Sequence, residues 1–215
     1  MSNTPSKFKR ESAEQRKEDL IRATLSLISE HGVRGATVRA IAERAEVTQG
    51  LIRHYFLTKE DLIVAAYEYH MEQMTDIISA SIDLAETSPR ERLGAFVSAS
   101  LKSPIVDPGS VTIWASFLNK VREKERMRKM HQQTYYAYRD RLEGLICDAL
   151  DEAGIVPKAL DVRRMAIASN AVIDGLWMEG GALPGAFELT ELPLIGLNSV
   201  GAIIGIDLDG TVGSP

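Results

Sequence analysis

The sequence predicts an all-α protein, in which an N-terminal three-helix domain containing a helix-turn-helix precedes a larger helical domain, with about nine helices in total. Apolar residues recur at helical spacing along most of the chain. Capping-box patterns mark helix starts at residues 12–15, 58–61 and 88–91. No segment alternates apolar and polar residues as a half-buried strand would. We therefore expect a flexible basic arm, a helix-turn-helix domain, a larger helical domain and a flexible tail, at residues 1–11, 12–59, 60–206 and 207–215.

The composition excludes a disulfide-bonded scaffold and gives no sign of a metal site. The single cysteine, Cys147, fits a reducing compartment. Because it lies among Leu145, Ile146 and Leu150, we expect it to be a buried apolar residue. The four histidines are scattered, so we predict neither a metal nor a cofactor. A polar N-terminus argues against a signal peptide and favours a cytoplasmic protein.

The charge is divided unevenly along the chain. Residues 1–59 carry eleven basic and seven acidic side chains, a net charge of +4, whereas the whole chain has a net charge of −5. A basic head on an acidic body is typical of a phosphate-facing module attached to a domain with another role. Residues 1–11, with Lys7, Lys9 and Arg10, are either a solvated tail or an arm that follows a DNA groove or backbone.

Residues 12–31 form the first predicted helix, which should support two shorter ones. In the first short helix, Val38, Ile41, Ala42 and Ala45 make one apolar face, and Thr37 stands before it as a cap. The second begins after Thr48, and its apolar stripe is formed by Leu51 or Ile52 with Tyr55 and Phe56. Such a pair can place its second helix in a DNA major groove.

The exposed side chains near the start of the second short helix are candidates for base recognition. Gln49 can pair with adenine, and Arg53 can reach guanine or a phosphate. Leu51 would either contact a thymine methyl group or pack in the core, and Gly50 would either allow close approach to DNA or serve the turn. Other side chains nearby are better suited to phosphates: Thr37, Thr48, His54, Tyr55 and Lys59.

The rest of the chain predicts long helices. One runs from residue 58 to about residue 86, and another begins at Ser88-Pro89 and is interrupted at residues 103–109. Helices at about residues 111–121 and 127–153 follow, and then a nearly all-apolar helix at residues 161–177, which Gly180-Gly181 and Pro184-Gly185 should end. A helix that is apolar nearly all round must be buried on both sides. Its own domain can bury one side, and a second subunit would bury the other. We expect a final helix at residues 192–204 in the same contact; it is too short to span a membrane.

Residues 37–62 contain a pattern at fixed spacing, namely Thr37-x-x-x-Ile41-Ala42-x-x-Ala45-x-Val47-Thr48-x-Gly50-x-Ile52-x-x-Tyr55-Phe56-x-x-Lys59-x-x-Leu62. It resembles the DNA-binding signature of the TetR family of transcriptional regulators, and the likeness extends back to Ala23. The resemblance implies phosphate contacts for Thr37, Thr48, Tyr55 and Lys59. It further implies that residues 60–206 form a ligand-binding and dimerisation domain, in which a small-molecule effector changes the spacing of the two DNA-binding heads. Because one helix-turn-helix supplies few base contacts, a homodimer that reads an inverted repeat in double-stranded DNA is the expected form. Repression is the habit of the family, and an activator is the alternative.

Two segments of the body, Trp114-Ala115-Ser116-Phe117 and Ile173-Asp174-Gly175-Leu176-Trp177, look like the subgroup typified by the choline-responsive repressor BetI. Glu179 departs from the basic residue expected there. Aromatic faces beside a carboxylate suit a cationic ligand, although Asp174 could equally cap a helix. The candidate ligand residues, each of which could instead be plain core, are Tyr67, Met71, Met74, Phe96, Trp114, Phe117, Tyr135, Tyr138, Asp174 and Trp177.

Two other classes of protein are disfavoured. An enzyme would need a nucleophile with its base, a phosphate-binding loop or metal-ligand spacing, and the sequence offers none of these. A membrane-surface protein would need basic residues beside the apolar C-terminal helix, whereas the flanking charges are Glu191, Asp207 and Asp209.

Overall fold

A computed structural model describes residues 13–83 and 88–208, which form nine α-helices and no strand within those ranges. The all-α prediction is therefore confirmed. The predicted basic arm and the tail from residue 209 lie outside the described residues. None of the described helices combines the length and apolar composition needed to cross a bilayer. The helices are α1 (Ala13–Gly35), α2 (Val38–Arg44), α3 (Gln49–Tyr55), α4 (Lys59–Asp83), α5 (Pro89–Ser100), α6 (Pro108–Glu123), α7 (Glu125–Glu152), α8 (Ala159–Ala182) and α9 (Glu191–Ile204).

The chain divides into two compact units, and the division falls within α4, between Tyr67 and Glu68. In the first unit, α2 and α3 are too short to bury a core alone, and their apolar faces are buried together with that of α1. The core of this unit includes Leu20, Ile28, Ile41 and Ile52, each at most 2% exposed. The start of α4 is fixed by Thr58 and Asp61, since the backbone N–H of each donates to the side chain of the other.

An ion pair joins α1 to α2 in the first unit. The Arg44 guanidinium donates to both carboxylate oxygens of Glu30, at 2.6 and 2.8 Å. Together with the Ser26 hydroxyl, it lowers the pKa of Glu30 to about 2. The sequence predicts that the first helix stops at Gly32, and the φ of 66° and ψ of 174° at this residue do interrupt the regular helix. A kink at Gly32 joins the long helical segment to a short helical stretch that extends α1 to Gly35.

The second unit has its own core, built mainly from α5, α7, α8 and α9. Its central side chains include Leu93, Phe96, Leu142 and Ile146, all at most 1% exposed. Ser88 and Glu91 form the predicted capping box at the start of α5. Asp107 caps α6, because its carboxylate accepts from the Ser110 N–H at 3.0 Å.

Helix α8 runs to Ala182 and ends before Pro184-Gly185, so the prediction that it stops at this second pair is confirmed and the prediction that Gly180-Gly181 stops it is wrong. The two glycines are instead points of close packing. A Cβ atom at Gly180 would lie 2.7 Å from Cγ1 of Val106, and one at Gly181 would lie 3.1 Å from the Asp107 carbonyl oxygen. At these two positions the neighbours of α8 therefore leave no room for a larger side chain.

Helix α9 matches the predicted final helix, and Gly205, with φ of 76°, ends it. The prediction that Cys147 is buried is wrong, since this thiol is exposed on α7. Its neighbours Ile146 and Leu150 are fully buried. Cys147 follows Ile146 directly, and one residue turns a helix by about 100°, which carries the side chain off the buried face.

Candidate nucleic-acid interface and ligand cavity

The helix-turn-helix is built by two threonine caps and one tight turn. The Thr37 hydroxyl oxygen accepts from the Ala40 N–H at 3.1 Å, and the Thr48 hydroxyl oxygen accepts from the Leu51 N–H at 3.3 Å. Between α2 and α3, Glu46 takes a positive φ of 53°. The Val47 N–H then donates to the Ala42 carbonyl at 2.9 Å. These contacts place Gln49 at the first position of α3.

One side of α3 is buried and the other is open. Ile52 and Phe56 are 2% and 5% exposed and hold the helix in the core. Leu51 and Tyr55 are half-buried, so Leu51 lies at the border between the two interpretations that the sequence leaves open. The exposed residues are Gln49, Gly50, Arg53 and His54.

The arginines of this region differ in what they bind. Arg39 pairs with Glu43 at 2.8 Å, and Arg44 pairs with Glu30. Arg53, by contrast, makes no hydrogen bond or ion pair with any described residue, and the same holds for the amide of Gln49. These two side chains, one helical turn apart, are therefore available to an external partner.

The residues predicted to contact phosphates have varied surroundings. Thr37 and Thr48 are exposed, and their cap bonds use only lone pairs, so each hydroxyl hydrogen can still be donated. The rings of His54 and Tyr55 meet edge to face with centroids 5.1 Å apart. Lys59 donates from Nζ to the Val33 carbonyl at 3.5 Å.

The second unit contains a cavity of about 130 Å³. Its wall is mainly apolar and aromatic, with a few polar groups, which is the usual composition of a small-molecule site. The lining residues come from α4, α5 and the segment after it, α6, α7 and α8. They are His70, Met71, Met74, Thr75, Ile78, Ser100, Ile105, Trp114, His131, Tyr135, Tyr138, Asn170, Ile173, Asp174, Trp177 and Met178.

Of the candidate ligand residues named from the sequence, the structure brings seven together on this wall: Met71, Met74, Trp114, Tyr135, Tyr138, Asp174 and Trp177. The other three, Tyr67, Phe96 and Phe117, are core residues at most 1% exposed. Helical spacing is the signal that could add more lining residues. Asn170 precedes Asp174 by four positions, His131 precedes Tyr135 by four, and His70 precedes Met74 by four.

Three polar side chains form a cluster on one part of the wall. The Tyr135 hydroxyl donates to Oδ2 of Asp174 at 3.2 Å. The Asn170 amide nitrogen donates to the Tyr135 hydroxyl oxygen at 2.6 Å and to the same Asp174 oxygen at 2.9 Å. Burial raises the pKa of Asp174, and the hydrogen bonds from Tyr135 and Asn170 oppose that rise. Burial and the nearby Asp174 charge also raise the pKa of Tyr135.

Two tryptophans, a tyrosine and a histidine form another part of the cavity wall. The Trp177 indole N–H donates to the Ile105 carbonyl at 2.8 Å, and its ring meets that of Trp114 edge to face at 5.8 Å. The hydroxyls of Tyr138 and Ser100 lie 3.0 Å apart, and burial raises the pKa of Tyr138. His70 is 9% exposed, and burial lowers its pKa to about 4, although Asp107 opposes the shift.

An all-helical chain with a helix-turn-helix in one unit and a lined cavity in the other has the organisation of a DNA-binding regulator. Comparison with known families agrees. Residues 20–66 match the model of the bacterial regulatory proteins of the tetR family, and residues 89–204 match that of the BetI-type transcriptional repressor C-terminal domain. The chain belongs to the TetR family of transcriptional regulators and carries a BetI-type C-terminal domain, as the sequence predicts.

Similar proteins are found in several bacteria. The HTH-type transcriptional regulator BetI 2 of Chromohalobacter salexigens is 32% identical over 82% of each chain. The regulator BetI of Paraburkholderia phytofirmans is 31% identical over 78% of this chain and 82% of its own. A crystal structure of a protein assigned as a transcriptional regulator, from Pseudomonas aeruginosa PAO1, matches with a TM-score of 0.82 at 33% identity, over 94% of this chain and 97% of its own. These relatives are regulators and not enzymes, in agreement with the sequence prediction.

Proposed function

We propose that this regulator is a homodimeric repressor that binds an inverted repeat in double-stranded DNA through α3 and leaves it when a small molecule occupies the cavity of the second unit. The observation that carries the DNA-binding part is that Gln49 and Arg53 lie exposed on α3 with no partner among the described residues, whereas Arg39 and Arg44 are already paired. Polar side chains that have no hydrogen-bond partner within the protein can form hydrogen bonds with base edges.

In this proposal the two exposed side chains of α3 read bases. The Gln49 amide has the donor and acceptor that a bidentate pair with adenine requires, and the Arg53 guanidinium has the paired donors that guanine or a phosphate requires. Gly50 would let the backbone approach the DNA, and Leu51 would contact a thymine methyl group. Phosphates would be bound by Thr37, Thr48, His54, Tyr55 and Lys59, which fix the orientation of the head without reading sequence.

The proposed dimer uses the outer faces of α8 and α9. Apolar side chains on these faces remain 40–57% exposed in the single chain, namely Leu160, Ile167, Met178, Leu194 and Ile195. Exposed small residues lie among them, including Ala168, Ala171 and Gly175. A second copy would bury this surface, and two copies would double the few base contacts that one helix-turn-helix supplies.

The proposed effector site is the cavity, and its electrostatics favour a cationic or hydrogen-bond-donating ligand. Asp174 brings a carboxylate to the wall, and no lysine or arginine lines it, although the Arg139 charge lies near enough to oppose the rise in the pKa of Tyr135. Aromatic rings lie on the same wall. A structure from Saccharomonospora viridis of a protein assigned as a transcriptional regulator, 18% identical with a TM-score of 0.72 over 89% of this chain and 96% of its own, is in complex with choline. That likeness covers the fold alone, but it supports testing cations first.

The proposal is tested by selecting duplexes from a random pool with the full chain and measuring the mass of the complex. We expect selected sequences to contain an inverted repeat and each duplex to bind two chains per repeat. Selected sites without twofold symmetry, bound by a single chain, would contradict the dimer. Selection of no sequence at all would contradict base reading by α3.

A further inference from the structure

The polar cluster of the cavity has used all of its hydrogen-bond donors. Tyr135 has one hydroxyl hydrogen, which it gives to Asp174, and Asn170 has two amide hydrogens, which it gives to Tyr135 and Asp174. The ionised Asp174 carboxylate has none. A ligand that arrives beside these three side chains therefore finds no donor that is not already engaged.

The lone pairs of the cluster, in contrast, are only partly used. Both donors to Asp174 converge on its Oδ2, and no described residue donates to its Oδ1. The Asn170 amide oxygen is buried and also has no partner among the described residues. Turning the amide over would not help, because its oxygen would then face the Asp174 carboxylate oxygen and lose two hydrogen bonds. The cluster thus presents acceptors only.

Most hydroxyl and indole donors on the rest of the wall are also committed to the protein. Thr75 donates to the Met71 carbonyl at 2.9 Å and Ser100 to the Phe96 carbonyl at 2.8 Å. Because Ser100 gives its only hydroxyl hydrogen to Phe96, Tyr138 is the donor in its hydrogen bond with the Ser100 hydroxyl oxygen. Trp177 donates to Ile105. Apart from the Trp114 indole and the imidazoles of His70 and His131, which also line the cavity, the wall around Asp174 therefore supplies negative charge and lone pairs between apolar surfaces.

We infer that the effector carries a protonated primary or secondary amine, whose N–H groups donate to the open oxygen of Asp174, with the Asn170 oxygen as a second acceptor beside it. This inference rests on the proposed role of the cavity as the effector site. A quaternary ammonium group brings the charge but no N–H, so it would give these acceptors no hydrogen bond from its charged end. A charge-assisted hydrogen bond from an ammonium group is roughly twice as strong as one between neutral groups, which makes the N–H the discriminating feature.

Three ligands with the same branched heavy-atom skeleton separate the possibilities: neohexylammonium, choline and neohexanol. Neohexylammonium places the charge and N–H donors at its slender end. Choline places a charge without N–H at its bulky end and keeps one O–H, and neohexanol keeps that O–H without the charge. In calorimetric titrations of the full chain, we expect neohexylammonium to bind at least about tenfold more tightly than either of the others, the effect of one net hydrogen bond to a charged group.

The variant Asp174→Asn tests whether the amine binds where we infer. It should bring the affinity for neohexylammonium down to about that for neohexanol and leave neohexanol little changed. Asp161→Asn is the matched control, because it makes the same substitution on α8 at a residue that does not line the cavity and pairs with Arg164 at 3.5 Å. The ligand series on the unmodified chain remains decisive if Asp174→Asn does not fold.

The outcomes separate this inference from the proposed function. Choline binding as tightly as neohexylammonium, or more tightly, would overturn the inference and leave the cavity as an effector site. Lack of binding by all three ligands would also overturn it. If the amine binds through Asp174 but the affinity for the selected DNA does not change, the inference stands and the proposed regulatory role of the cavity fails.

Discussion

At the residue scale, exposed side chains of the helix-turn-helix can be sorted by whether they already have a partner. Because Gln49 and Arg53 have none among the described residues, Gln49→Ala and Arg53→Ala should leave folding intact. Each should lose ~1–3 kcal/mol of binding free energy on the selected duplex and relax the preference at one base position. Fluorescence anisotropy on the selected duplex and on duplexes changed at single positions measures both effects.

Lys59→Ala is the contrasting variant, because a phosphate contact carries no sequence information. It should weaken binding to selected and scrambled duplexes alike and make the dependence on salt concentration less steep. Since Lys59 also donates to the Val33 carbonyl, its thermal unfolding should be measured beside that of the parent. Loss of base preference in Lys59→Ala, with uniform weakening in Gln49→Ala and Arg53→Ala, would reverse our assignment.

Buried His70 makes the stability of the protein sensitive to acid. Its folded pKa of about 4 lies below the ordinary value of 6.5, so as the pH falls the unfolded chain takes up the proton first. The contribution of His70 to the free energy of unfolding is therefore fully present above pH 6.5 and is lost as the pH falls towards 4. This shift contributes roughly 2 kcal/mol of loss between pH 6.5 and 4.5.

His70→Gln should reduce that loss, which urea unfolding at a series of pH values measures. His131 contributes in the same direction, since burial lowers its pKa too. Glu30 contributes only below its ordinary pKa of 4.5, where protonation breaks its bond to Arg44. An unchanged pH dependence in His70→Gln would show that the buried histidine is not its source.

At the element scale, α8 and the start of α6 approach closely through Gly181. Gly181→Ala would bring a Cβ atom against Val111 and to 3.1 Å from the Asp107 carbonyl oxygen. We expect a loss of ~1–3 kcal/mol in the free energy of unfolding, the usual cost of overpacking. Urea denaturation of the purified variant gives this value.

Gly144→Ala is the control for Gly181→Ala. Gly144 is exposed on α7, and nothing lies within 4 Å of the added Cβ atom. This substitution should gain ~0.5–1 kcal/mol from helix propensity alone. Equal effects of the two substitutions, in either direction, would contradict close packing at Gly181.

The order of the helices and many of their starts could be predicted because capping is local. Ser88 and Glu91 are three residues apart, and so are Thr58 and Asp61. The end of α8 could not, because Gly180 and Gly181 stop a helix in one context and allow close packing in another. Here the context is supplied by Val106 and Val111, which are distant in the chain.

In the candidate sites, too, local signals predict some features, and contacts between residues distant in the sequence determine others. Gln49 and Arg53 are recognisable from their chemistry and their place after a cap. Tyr135 and Asp174 are recognisable as an aromatic residue and an acid on predicted core-facing helices. The bond between Asn170 and Tyr135 spans 35 positions in the sequence, however, so no local pattern predicts that Asn170 uses its amide hydrogens within the cavity wall.

At the scale of the whole molecule, the exposed apolar faces of α8 and α9 should determine assembly. Ile167→Glu places a charge in the centre of the proposed contact, where Ile167 is 44% exposed in the single chain. We expect this variant to be a folded monomer with much weaker binding to the inverted repeat. Sedimentation equilibrium gives the mass, and anisotropy gives the affinity.

Val156→Glu is the matched control, since Val156 is 93% exposed in the segment between α7 and α8. It adds the same charge in place of another apolar residue and should leave the parental assembly and DNA affinity unchanged. A dimeric Ile167→Glu variant would place the interface elsewhere on the molecule.

The paired tryptophans of the cavity give the protein an optical property. The chain contains only two tryptophans, and both line the cavity, where Trp177 is bonded to Ile105. Emission from indole therefore originates entirely from this wall, with no background from the DNA-binding head. A molecule that enters the cavity changes the polarity around both fluorophores, so the unlabelled protein can screen a chemical library by its own emission spectrum.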